Sequence, residues 1–168
     1  MRLAGLFIIA ALGALAVQTA IPYWLPLGIL FPNLVVILAV DLGLRHHGAF
    51  PALLAFAMGY ATDAFSGSVL GLNAFLITLI YLLSYEVSRR LMVTNALVGA
   101  VAVFVGALIA AAGALAIGFG MDAVAQLGPM FPRLAGDAAI TALLAPPIFA
   151  MLARCKKAIG LPAGAARE

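Results

Sequence analysis

Apolar runs of roughly membrane-crossing length dominate this chain, and its basic residues sit at every second junction between them. Arg2, Arg45, Arg89, Arg90, Arg154, Lys156, Lys157 and Arg167 all fall on one side if the chain crosses a bilayer six times. Only Arg133 then lies opposite. A soluble core has no reason to sort its cations in this way. Because cytoplasmic loops retain Lys and Arg, the pattern places both termini in the cytoplasm.

Composition agrees. Of the 168 residues, 66% are hydrophobic and 9% charged, against roughly half and a quarter in globular proteins. A helix needs about 20 apolar residues to cross the hydrocarbon, so the expected spans fall at about 3–21, 28–44, 50–65, 72–87, 96–117 and 134–152. The expectation is an all-α polytopic membrane bundle, one integral membrane domain over residues 1–168 with a disordered tail at 160–168. The net charge of +3 follows from the cytoplasmic bias and does not imply nucleic acid. Cys155 is the only cysteine, so an internal disulfide is impossible. The run after Arg2 resembles a signal peptide, but five further apolar segments follow and it is read as an uncleaved first span.

Along the chain, Pro22 and Pro26 are expected to stop the first helix, with Tyr23 and Trp24 at the headgroups. Pro32 and Asn33 open the second span. Ser66, Gly67 and Ser68 hairpin the third onto the fourth. In the fifth, Gly106, Ala110, Ala114 and Gly118 recur every four residues and lay small side chains along one face. Residues 120–132 read as the longest outer loop, and Pro146 and Pro147 predict a kink or partial unwinding near Ala145.

Three acidic residues have a cation within helical reach: Asp41 with Arg45, Glu86 with Arg89 or Arg90, and Asp137 with Arg133. They read as partly solvated intrahelical pairs at the interface. Asp63 has no such cation and shares a small-residue face with Gly59 and Gly67. It reads either as a proton or cation relay or as a carboxyl that pins the hairpin, with Asn73 the nearest donor; the second is favoured because a relay normally has several intramembrane ionisable groups. On that reading Asp63→Asn is expected to preserve folding. His46 and His47 read as solvated turn residues without metal-ligand spacing. No motif for nucleophilic, metal or phosphate chemistry occurs, so neither an enzyme nor a cofactor is expected.

Pro32-Asn33-Leu34, Gly48, Gly59 with Asp63 four later, Gly67, and Leu70-Gly71-Leu72-Asn73 resemble the rod shape-determining protein MreD family. The resemblance implies a bacterial inner-membrane subunit of the cell-elongation machinery, a scaffold associated with the bitopic MreC, the actin-like MreB and the lateral-wall peptidoglycan synthase. It also implies a fold similar to the substrate-binding subunits of energy-coupling-factor transporters, which makes vitamin-type uptake the alternative function. Asn33 departs from the acidic residue often found in the family. The residues singled out for structural or partner contact are Pro32, Asn33, Gly59, Asp63, Gly67, Gly71, Asn73, Gly106 and Ala110.

Overall fold

A computed structural model describes residues 2–24, 32–67, 69–90, 96–119, 123–158 and 160. These residues form six helices and no strand: α1 (Arg2–Trp24), α2 (Leu34–Arg45), α3 (Ala49–Ser66), α4 (Leu72–Arg90), α5 (Ala96–Phe119) and α6 (Ala123–Ala158). Three stretches, Leu3–Ala20, Leu97–Ile117 and Gly128–Ala158, are long and apolar enough to cross a membrane. They leave much of that apolar surface facing outward, as with Ile9, Leu97 and Leu143, which suits hydrocarbon and not water.

The helix α2 is the axis of the bundle. Its residues Val35 to Leu44 are all buried, and it touches all five other helices. At 12 residues it is about 18 Å long, short of the roughly 30 Å hydrocarbon; residues 27–31, which would extend it, lie outside the described ones. A helix surrounded on all sides has no solvent-facing polar side, which explains why its sequence is apolar apart from Asp41 and the terminal Arg45.

Named contacts fix the directions. Val36 and Val40 of α2 and Ile80 of α4 line the position that a Cβ on Gly106 would occupy, and Gly43 lies against Tyr81 and Ser84. Ser88 Oγ donates to Leu44 O at 2.8 Å. Thus α2 and α4 run the same way. Helix α6 joins them, because Asn33 N donates to Thr141 Oγ1 at the start of α2 and Lys156 reaches Asp41 near its end. Phe7, near the start of α1, packs edge-on against His46. The basic C-terminal ends of α2, α4 and α6 therefore gather at one end of the bundle, the arrangement that the sorted cations required.

Several expectations need correction. Pro22 does not stop α1, which continues to Trp24. Residues 123–132, expected in a loop, are helical, and α6 runs for 36 residues with Pro129, Pro132, Pro146 and Pro147 inside it. No unwinding occurs at Ala145. A proline deletes a single helical hydrogen bond, and packing of the buried Ala145, Phe149 and Leu152 holds the flanking turns in register. Apart from Gly160, the expected disordered tail lies outside the described residues, as do the Ser68 side of the hairpin turn and the side chains of Tyr23 and Trp24.

Candidate functional site

Two polar clusters stand out, one at the start of α4 and the other where α1, α2 and α6 meet. The first is built on Asp63, which is fully buried. Its Oδ2 accepts from Gly71 N at 3.0 Å and Ala74 N at 3.1 Å. Its Oδ1 accepts from Asn73 N at 3.0 Å and Asn73 Nδ2 at 2.9 Å. The first turn of any helix leaves backbone N–H groups without helical partners. Here a carboxylate from the preceding helix caps them, with the positive end of the α4 dipole adding to the attraction.

Local sequence makes this geometry possible. Gly67 ends α3 in the left-handed region at φ 63°, and Gly71 takes φ 96°, a conformation that a side chain would strain. Gly59 allows the helices to close: a Cβ there would stand 2.5 Å from Asn73 O and 2.6 Å from the Ala74 Cα. The spacing Gly59, Asp63, Gly67, Gly71, Asn73 is thus one hairpin device. Asp63→Asn is no neutral change in this setting, contrary to the sequence expectation, because the new NH2 group would face N–H donors.

The second cluster escaped sequence reading. Asp41 is not a partly solvated interface residue: it and Lys156 are each only 1% exposed, with Lys156 Nζ 2.5 Å from Asp41 Oδ2. Arg45 Nε, the partner anticipated from helical spacing, lies 2.8 Å from Asp41 Oδ1. Phe7 lies under the Lys156 ammonium at 5.1 Å, and Phe149 under the Arg45 guanidinium at 5.8 Å. A carboxylate held by two cations between two aromatic faces is a buried ion cluster in which α1, α2 and α6 meet. Nothing in the local sequence marks it, since its partners are 115 positions apart.

His46 also differs from the solvated turn residue expected. It is half-buried against Phe7, and burial, reinforced by the nearby Lys156 charge, lowers its pKa from 6.5 to about 4. His47 is exposed and sits edge-on to Tyr85. Tyr81 OH donates to Gly48 O at 3.1 Å and to His46 O at 3.3 Å, tying this turn to α4. Glu86 does form the anticipated exposed pairs, 3.6 Å from Arg89 and 3.9 Å from Arg90.

The remaining singled-out residues serve the interior. Asn33 caps α2, its Oδ1 accepting from Val36 N at 3.2 Å, and Pro32 O accepts from Gln18 Nε2 at 2.9 Å. Gly106 and Ala110 are buried, Gly106 against α2 and α4, so this part of the small-residue face packs within the chain; Ala114 is exposed. Gly59, Asp63, Asn73 and Gly71 belong to the hairpin, far from Pro32 and Asn33 in their bonding. Between α4 and α5 an apolar groove of about 220 Å³ opens outward, lined by Ile80, Leu83, Val87, Val98, Val101 and Val105 among others, with Ser84 its one polar side chain among the described residues.

Residues 1–155 fit the family model described as rod shape-determining protein MreD. No curated protein matches the chain, and no solved structure does.

Proposed function

Because this chain belongs to the family of rod shape-determining protein MreD, we propose that it is a non-catalytic, multi-pass scaffold of the bacterial inner membrane. In this reading six helices thread the bilayer, both termini lie in the cytoplasm, and the protein positions an MreC-like bitopic partner and the lateral-wall peptidoglycan synthase relative to actin-like MreB. The family's likeness to energy-coupling-factor substrate-binding subunits is part of the same proposal.

One observation carries the reading. Among the described residues, the buried charged side chains Asp41, Asp63 and Lys156 are all engaged in fixing one helix to another. Polar groups used in this way support a rigid bundle whose outer surface is left to partners. That surface is apolar on its flanks, with Phe50, Leu53, Phe56 and Tyr60 forming an exposed ridge on α3, and basic at one end. Vitamin uptake would call for a pocket with convergent polar groups, whereas among the described residues the α4–α5 groove offers Ser84 alone.

Photocrosslinking in cells tests the proposal. Reporters must be placed on outward residues such as Leu53, Phe56, Tyr60 and Leu143, since Gly59, Asp63 and Ala110 are internal. Capture of an MreC-like protein is expected. Failure to capture any shape-machinery protein from all four positions, together with saturable vitamin binding by the purified chain, would sink it.

A further inference from the structure

We propose that the α4–α5 groove is a binding site for an anionic phospholipid, with an acyl chain laid in the groove and the headgroup phosphate held by Arg90. The groove is bordered on α4 by Ile80, Leu83 and Val87 and on α5 by Val98, Val101 and Val105. These are hydrocarbon walls, and the groove opens toward the surroundings of the bundle. A chain of methylenes matches that lining, since it brings no polar group that the walls would leave unpaired.

The cation at its mouth selects the headgroup. Residues three and four apart share a helix face, so Leu83, Val87 and Arg90 form one ridge and Arg90 continues the groove wall past its last apolar residue. Arg90 is 84% exposed and pairs through its Nε with Glu86 at 3.9 Å, an exposed ion pair that a phosphate can displace or share. Arg89 instead leans over the Tyr85 ring, 5.8 Å away, on another face. One guanidinium thus follows the groove wall on the same helix face, within the reach of a phosphate whose tail fills the groove in the proposed pose, and guanidinium pairs with phosphate through parallel hydrogen bonds. Basic pockets between membrane helices recognise acidic headgroups by this chemistry.

The site does not depend on the scaffold reading, since lipid can bind the isolated chain. The test uses the full chain in nanodiscs of phosphatidylcholine containing a photoactivatable tail on either phosphatidylglycerol or phosphatidylcholine, with labelled residues mapped by mass spectrometry. Label is expected on α4 and α5 groove residues, stronger from phosphatidylglycerol. Arg90→Gln should reduce the anionic preference about fivefold, the effect of one basic residue near a charged surface. Val105→Trp, at a half-exposed groove position, should lower labelling by both lipids, and Lys157→Gln on α6 should leave it unchanged; matching thermal midpoints certify that the variants fold. Equal labelling by both lipids in the unmodified chain, or an equal loss in Lys157→Gln, overturns the proposal. So does in-cell capture of a protein in place of lipid from a photoreactive residue at Val101.

Discussion

Lys156 in the last turn of α6 delivers its ammonium to Asp41 in α2, and both side chains are almost wholly shielded. A buried pair is costly to break because removing one member strands the other in a poor solvent. Asp41 retains Arg45 at 2.8 Å when Lys156 is lost, whereas among the described residues Lys156 retains the Phe7 face but no anion when Asp41 is lost. Asp41→Asn should therefore destabilise more than Lys156→Met, with losses of about 3–5 kcal/mol and the lower end of that range respectively. The double variant should recover part of the loss. Thermal midpoints of the detergent-purified proteins decide; midpoints of all three variants equal to that of the unmodified chain would show that the cluster contributes nothing.

For Asp63, replacement by Asn should cost about 2–4 kcal/mol, since one oxygen accepting from two N–H groups becomes a donor facing them. The loss should appear equally with and without a proton gradient. A variant with an unchanged midpoint but abolished ion flux in liposomes would restore the relay reading.

Close helix approach gives a steric prediction. Gly59→Ala brings a methyl group to 2.5 Å from backbone oxygen Asn73 O, which must push α3 from α4 and weaken the Asp63 cap, a loss of about 1–3 kcal/mol. Gly13→Ala, with nothing within 4 Å, should be neutral or slightly stabilising through helix propensity. Comparing the two midpoints separates packing from propensity.

Acid should loosen the His46 turn. The folded-state pKa of about 4 lies below the ordinary 6.5, so the unfolded chain binds the proton first as pH falls. Stability contributed by neutral His46 is complete above pH 6.5, declines between 6.5 and about 4, and declines no further below. Because the ring is only half-buried, about 1–2 kcal/mol is expected after solvent screening. His46→Gln should flatten that part of the midpoint-versus-pH curve; an unaltered slope would count against a buried neutral ring.

What could be read from the chain and what could not divide along sequence distance. The hairpin around Asp63 was legible because its capping residue, glycines and Asn73 of the donor turn lie within 15 positions, and local spacing announces local contacts. The sorting of Arg45, Arg89, Arg90 and Lys156 to one end was legible because it obeys a one-dimensional charge rule. The pairing of Asp41 with Lys156 was hidden: helical spacing supplied a nearer partner in Arg45, and only tertiary packing brings α6 against α2. Pro22 and the four prolines of α6 misled for a related reason, since proline weakens a helix locally while neighbouring helices and an apolar medium preserve it. The central position of α2 was equally unreadable, because a helix buried by protein and one bathed in lipid have the same apolar sequence.

At 36 residues, α6 is about 54 Å long, nearly twice the thickness of the oily layer. With its Lys156 end tethered at the basic face, the Gly128–Arg133 stretch must either stand clear of the opposite surface or force the whole rod to lean. In the upright case a visiting protein meets a stiff post already in shape, carrying Met130, Phe131 and Arg133 outward, and so forfeits little chain freedom on contact.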